Sequence, residues 1–229
     1  MEEESKTIQE VAKATGKGID AVREAGGFIA RYVAGPLEEG VGILSDRLKY
    51  VRWERQVRLM QRADQFLREA GLDAPSRAVP LKIAIPLLQA ATIEDDDSLQ
   101  DLFAALLVNA ANSASGVEVH RSFIEILGQI TPLEARILNV VYSLPFDQAR
   151  HAGISTEALP HYSRILAENE NATEQPPDEI ALALGNLVRV GCVKVPGTWG
   201  GGETFSSVNP TLLGREFIRA CTTRQRKAQ

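Results

Sequence analysis

The stretch from Pro80 to Ser113 places the strongest constraint on how this chain can fold. It holds two apolar blocks on either side of an acidic run. The apolar side chains are Leu81, Ile83, Ile85, Leu87 and Leu88, followed by Leu99, Leu102, Phe103, Leu106, Leu107 and Val108. Because few charges interrupt either block, the pattern predicts two helices, at about 79–92 and 97–113, that are buried from several sides. Pro86 is expected to kink or divide the first helix.

The acidic run between the two blocks admits two interpretations. It consists of Glu94, Asp95, Asp96 and Asp97. Asp96, Asp97 or Ser98 can cap the second helix, where carboxylates also favour the positive end of the helix dipole, and Ser98 with Asp101 resembles a capping box. A magnesium site would need oxygen ligands from several segments, and the sequence offers no partner motif. The run is therefore predicted to be an acidic helix cap.

This stretch also resembles a known family. The resemblance rests on Val79-Pro80-Leu81-Lys82, Pro86-Leu87-Leu88, Ile93-Glu94-Asp95-Asp96, Leu99 through Leu107, and Asn109-Ala110. These motifs are similar to those of the Abi-alpha (abortive-infection alpha) family, over about 36–144 with a weaker continuation to Cys221. The resemblance implies a bacterial protein associated with phage defence. It carries over no catalytic residue, because the shared motifs are structural.

A long amphipathic helix is predicted before this stretch, from Ser45 to Ala70. One face is basic and is a possible contact face, formed by Arg47, Lys49, Arg52, Arg55, Arg58 and Arg62. Such a face can be solvated and paired with the acidic run or other carboxylates, or it can bind an anionic membrane or nucleic acid. Four interrupting carboxylates favour the first interpretation. They are Asp46, Glu54, Asp64 and Glu69.

The N-terminal segment before this helix is rich in glycine. Residues 16–45 contain seven glycines among small and apolar residues. Because each interior glycine costs a helix about 1 kcal/mol relative to alanine, a stable lone helix is not expected. The segment is predicted to be mobile in the monomer and to become ordered against a second copy or a partner.

Clear turn and cap signals divide the second half of the chain. Thr131, Pro132 and Glu134 predict a capping box that starts a helix running to about Leu144. A short helix is expected at 155–168 and a polar loop at 169–177. A helix at 178–190, strands at 192–195 and 204–208, and a final helix from Asn209-Pro210 to Arg219 look like a winged helix.

Winged helices often bind DNA, but the predicted recognition helix at 178–190 begins with Asp178 and Glu179 and offers only Arg189 as a base. A phosphate-binding face needs several cations. The winged module is therefore predicted to contact protein, with DNA binding as the alternative. Possible wing contacts are Arg189, Lys194 and Trp199.

Composition limits the function classes. The chain has 229 residues, 44% of them hydrophobic, and a formal net charge of -5, which disfavours a general nucleic-acid binder. Cys192 and Cys221 are expected to be reduced core thiols of a cytoplasmic protein. The acidic start does not resemble a secretion signal, so secretion is not expected. The lack of a long apolar run means that a membrane-spanning helix is not expected either. With no nucleophile-base pairing, metal-ligand spacing or phosphate loop, neither an enzyme nor a cofactor is expected.

Together these features predict a mainly α fold, a helical bundle followed by a small winged-helix-like module with one β-hairpin. The predicted domains are a flexible arm at 1–44, a helical core at 45–130 and the winged module at 131–229. The favoured function is phage defence of the abortive-infection type, acting through a protein partner or self-association. The alternatives are a DNA-binding regulator and a peripheral membrane effector that uses 16–68, so nucleic-acid and membrane partners stay open.

Overall fold

A computed structural model describes residues 26–33, 53–168, 170, 172–197, 202 and 204–223. Within these residues the fold is mainly α, as predicted, with nine helices and three short strands. The helices are α1 (26–32), α2 (Trp53–Glu69), α3 (Leu81–Ile93), α4 (Asp97–Ala111), α5 (Arg121–Leu127), α6 (Pro132–Ser143), α7 (Phe146–Ala152), α8 (Asp178–Arg189) and α9 (Leu212–Ala220). The strands are β1 (Ile154–Ser155), β2 (Val193–Lys194) and β3 (Ser207–Pro210). In the part of the chain that these ranges cover, none of the helices is both long and apolar enough to cross a bilayer.

The two central helices form where the apolar blocks predicted them. Helix α4 buries eleven of its fifteen residues, and α3 continues through Pro86 as one helix rather than dividing there. The buried Gln100 joins three helices, because its side-chain amide donates to the backbone carbonyls of Ala91 and Arg55 and its oxygen accepts from Arg58. The bundle is therefore fixed by polar contacts inside the core as well as by apolar packing.

The described part of the N-terminal segment packs on this bundle. Phe28, Ile29 and Tyr32 of α1 are buried, and the backbone N–H of Val79 donates to the Tyr32 carbonyl at 2.7 Å. The large apolar side chains of 26–33 are thus covered within one chain. The rest of the predicted arm lies outside the described residues, as does the predicted helical stretch 45–52.

The second half of the chain begins with the capping box predicted at Thr131 and Glu134. Directly after α6 the prediction was wrong. The structure has a short helix at 146–152 and strand β1, whereas a helix was expected at 155–168. Strand β1 pairs antiparallel with β3 through Ile154 opposite Val208, so its conformation is set by a distant partner rather than by local preference.

The predicted hairpin is present and is part of a larger sheet. Strands β2 and β3 are antiparallel, with Val193 opposite Pro210, and β1 extends them to a three-stranded sheet of order β1-β3-β2. The final helix starts later than expected. Thr211 is its N-cap, because its side chain accepts from the backbone N–H of Gly214, so 209–210 belongs to the sheet. The winged-helix interpretation stays a prediction.

The core is continuous across the predicted boundary at 130/131. The Phe123 and Phe217 rings meet edge to face at 6.1 Å, and the Asn109 side-chain amide donates to the carbonyls of Ala220 and Thr222 at the end of α9. The domain limits themselves stay predictions.

Candidate functional site

The acidic run lies at the start of α4. Asp96 is the N-cap, and its carboxylate accepts from the backbone N–H groups of Ser98 at 2.8 Å and Leu99 at 3.0 Å. The Ser98 hydroxyl also donates to this carboxylate. The bond from this hydroxyl is the main cause that holds the pKa of Asp96 below its ordinary value, and the backbone bonds add to it. Glu94 accepts from the backbone N–H of Asp96 at 2.9 Å. The predicted capping box of Ser98 with Asp101 does not form, since Asp101 faces arginines of α2.

Three arginines of the predicted basic face point at carboxylates of α4. Arg55 pairs with Asp97, and Arg58 Nη2 lies 2.9 Å from Asp101. Arg62 grips Asp101 with two hydrogen bonds, Nε to Oδ1 at 2.8 Å and Nη2 to Oδ2 at 2.6 Å. The hydrogen bond from Arg55 is the main cause that lowers the pKa of Asp97. Phosphates or lipid headgroups would have to displace these carboxylates.

The other predicted contacts are spread over the surface. Arg47, Lys49, Arg52 and Trp199 lie outside the described residues, and Lys194 is exposed on β2. Arg189 donates to the side-chain oxygens of Asn186 and Gln129, so its guanidinium is held against its own molecule. Among the described residues, Arg189 and Lys194 therefore do not form a shared basic surface.

One surface stands out on α8, and sequence reasoning did not single it out. Ile180, Ala183, Leu184 and Leu187 are buried, which leaves Leu182 on the outer face with 78% of its surface exposed. The helical spacing of those four residues was the signal that could have placed Leu182 outside. We call the face formed by Asp178, Ala181, Leu182, Gly185 and Phe205 the α8 surface; it borders an open depression of about 710 Å³.

Buried polar contacts hold the α8 surface in position. Glu134 of α6 is 4% exposed, and its two carboxylate oxygens accept from the Asn186 side-chain amide at 3.0 Å. The same carboxylate accepts from the backbone N–H of Thr131 at 2.7 Å. One carboxylate thus closes the capping box of α6 and ties α8 to it.

The two cysteines are buried and free. Burial raises the pKa of the Cys192 thiol to about 12, and it raises the pKa of the Cys221 thiol as well. Both thiols therefore stay protonated at neutral pH and are poor nucleophiles. Over the residues that the structure covers, no group of three or more histidines, cysteines and carboxylates is placed to hold a metal ion.

Comparison with known proteins gives one match. The family described as abortive infection alpha matches residues 54–221, which spans α2 to the end of α9. No curated protein and no solved structure matches the chain.

Proposed function

The chain belongs to the abortive infection alpha family, and from that premise we propose that it is a bacterial, cytoplasmic phage-defence protein that acts by contacting another protein. Family membership suggests abortive-infection defence against phage. The finer mechanism, protein contact without catalysis, is our proposal. The observation that carries it is the exposure of Leu182 at the centre of the α8 surface.

The α8 surface has the composition of a protein contact. Leu182, Ala181 and Phe205 supply apolar area, and Asp178 and Arg189 stand at its edge. Protein interfaces combine an apolar centre with a polar rim. The acidic first turn of α8, with Asp178 and Glu179, repels nucleic-acid phosphates where a recognition helix would meet them. The occupant is therefore a protein.

The chemistry of the described side chains supports a non-catalytic mechanism. Asp96 caps α4 and Asp97 pairs with Arg55, and the thiols are buried and protonated. Nucleophiles and bases of enzymes instead lie within reach of one another in a cleft. Among the described residues of the basic face, Arg55, Arg58 and Arg62 pair with Asp97 and Asp101, which argues against these three as anchors for a membrane or nucleic acid.

A phage plating assay tests the proposal. Leu182→Asp places a charge in the centre of the α8 surface, and we expect it to abolish protection while leaving the protein folded. Ile93→Asp is the matched control, since Ile93 is an aliphatic residue on α3 that is 69% exposed. Burying a central anchor at an interface contributes about 2 kcal/mol or more, so partner capture should fall by about 30-fold or more.

Two outcomes would contradict this mechanism. Full protection by Leu182→Asp would exclude the α8 surface, and equal loss of protection in both variants would show a nonspecific effect. Light scattering of the purified protein identifies the partner class. A dimer that Leu182→Asp dissociates would make the partner a second copy of this chain.

A further inference from the structure

A cleft opens beside the start of α3, away from the α8 surface. It has a volume of about 590 Å³ and lies between 77–83 and 118–121, two segments joined through the end of α4. Its polar lining includes Arg77, Lys82, His120 and Arg121, and its accessible apolar lining consists of Ala78, Pro80 and Val119. We call it the α3 cleft. Sequence reasoning missed it because its cations come from separate segments.

Arg77 is a fixed cation at one wall. Its Nε donates to the Ala110 carbonyl at 2.6 Å, and its Nη2 donates to the carbonyls of Asn109 at 3.1 Å and Val117 at 3.2 Å. These acceptors are backbone carbonyls rather than a carboxylate. They hold the guanidinium in place and offset part of its charge, because two of them belong to the negative end of the α4 dipole. Arg77 therefore contributes positive charge in a defined position, and its Nη1 makes none of these three hydrogen bonds.

Lys82 adds a second charge at the first turn of α3. The side chain is exposed, and no carboxylate of the described residues lies within ion-pair distance of it. Pro80 occupies the N-cap and offers no side-chain hydrogen bond, so the first turn of this thirteen-residue helix presents its positive dipole end beside Lys82.

The opposite wall keeps the balance positive. Arg121 is 70% exposed and shares its charge with Glu125 at 3.1 Å, and the His120 ring stands edge to face on Phe123 at 5.3 Å. Glu118 is the carboxylate of the cleft lining itself. Arg77 and Lys82 thus outweigh it, in a chain whose formal net charge is -5.

We propose that the α3 cleft binds a small phosphate-bearing molecule. Arginine and lysine at a helix N-terminus are the donors that phosphate oxygens take in proteins. The volume is that of a pocket for a small ligand, and the accessible apolar side chains of Ala78, Pro80 and Val119 can contact a base or sugar. A long nucleic acid is disfavoured, because its phosphates outside the cleft would be repelled by the net negative charge of the chain.

Calorimetric titration of the full-length protein with ATP and with inorganic phosphate tests the site. We expect ATP to bind and Lys82→Glu to weaken it by at least about tenfold, which corresponds to about 1.4 kcal/mol. Lys194→Glu is the control, because it makes the same change of charge at an exposed lysine on β2, far along the chain from the cleft. Arg121→Gln tests the second wall and should also weaken binding, since its side chain is too exposed to affect folding.

Three results would overturn the inference. The first is that neither ATP nor inorganic phosphate binds at millimolar concentration. The second is that Lys82→Glu and Lys194→Glu weaken ATP binding equally. The third is that a 20-nucleotide single strand binds more tightly than ATP. The third result would assign the cleft to nucleic acid instead. The α8 surface and the α3 cleft are tested by different readouts, so failure of the one proposal is distinguishable from failure of the other.

Discussion

Gly214 lies where α9 passes close to Tyr142 and Cys192, and Gly214→Ala tests that approach. A Cβ atom added there would lie 2.0 Å from the Tyr142 hydroxyl and 2.4 Å from the Cys192 carbonyl oxygen. Carbon and oxygen do not approach this closely without displacement. The carbonyl belongs to the backbone just before β2, so a side-chain rotation cannot relieve the clash.

The cost follows from what Tyr142 does. Its hydroxyl donates to the Cys192 carbonyl and accepts from the backbone N–H of Thr211 at 3.0 Å, so it links α6, β2 and the start of α9. Burial raises the pKa of this hydroxyl to about 12, which keeps it protonated. Overpacking costs about 1–3 kcal/mol, and each lost hydrogen bond about 1 kcal/mol. We expect Gly214→Ala to lower the free energy of unfolding by about 3–5 kcal/mol.

Urea denaturation followed by circular dichroism measures this change. Gly185→Ala is the matched control, because Gly185 also lies in a helix and its added Cβ would meet only the Phe205 ring at 3.6 Å. That substitution should change stability by less than about 1 kcal/mol, with alanine favoured in the helix. If Gly214→Ala loses less than about 1 kcal/mol, the steric argument is wrong.

Two further predictions concern the start of α4. Hydrogen bonds hold the pKa of Asp96 low, so its carboxylate stabilises the fold at neutral pH, and this contribution disappears as the pH falls below about 4. Asp96→Asn keeps a capping oxygen without the charge, and the variant should lose less stability than the wild type between pH 6 and pH 3. Asp101→Asn weakens the pairs with Arg58 and Arg62 and should lower the free energy of unfolding by about 1–2 kcal/mol. Asp147→Asn, at a surface pair 3.6 Å long, should cost under about 0.5 kcal/mol by the same denaturation.

Local signals were predictable from the sequence. The capping box at Thr131 needs only four neighbouring residues, and the two apolar blocks around the acidic run define α3 and α4 by composition. Strand β1 could not be predicted, because two residues have no periodicity and its partner Val208 lies far along the chain. The start of α9 was misplaced because Pro210 looked like a first helical residue, whereas the Thr211 hydroxyl makes the cap.

The candidate sites were harder to predict than the fold. The arginines of α2 were expected to meet carboxylates, and Arg55, Arg58 and Arg62 do so. Leu182 is exposed because the opposite face of α8 packs against the core. The α3 cleft depends on the hydrogen bonds of Arg77 to the end of α4. Both require tertiary contacts that residue spacing does not contain.

Polar contacts within the chain position both proposed binding surfaces. Glu134 and Asn186 tie α8 to α6, so Leu182 is presented from a helix that is fixed to the core. Arg77 closes the carbonyl end of α4, and the same bonds place its charge at the α3 cleft. Because a preorganised surface loses little conformational freedom on binding, each site can bind its ligand without first folding a loop. Substituting Glu134 should therefore disturb binding at the α8 surface indirectly, through the orientation of α8, whereas Leu182 and Lys82 should act by direct contact.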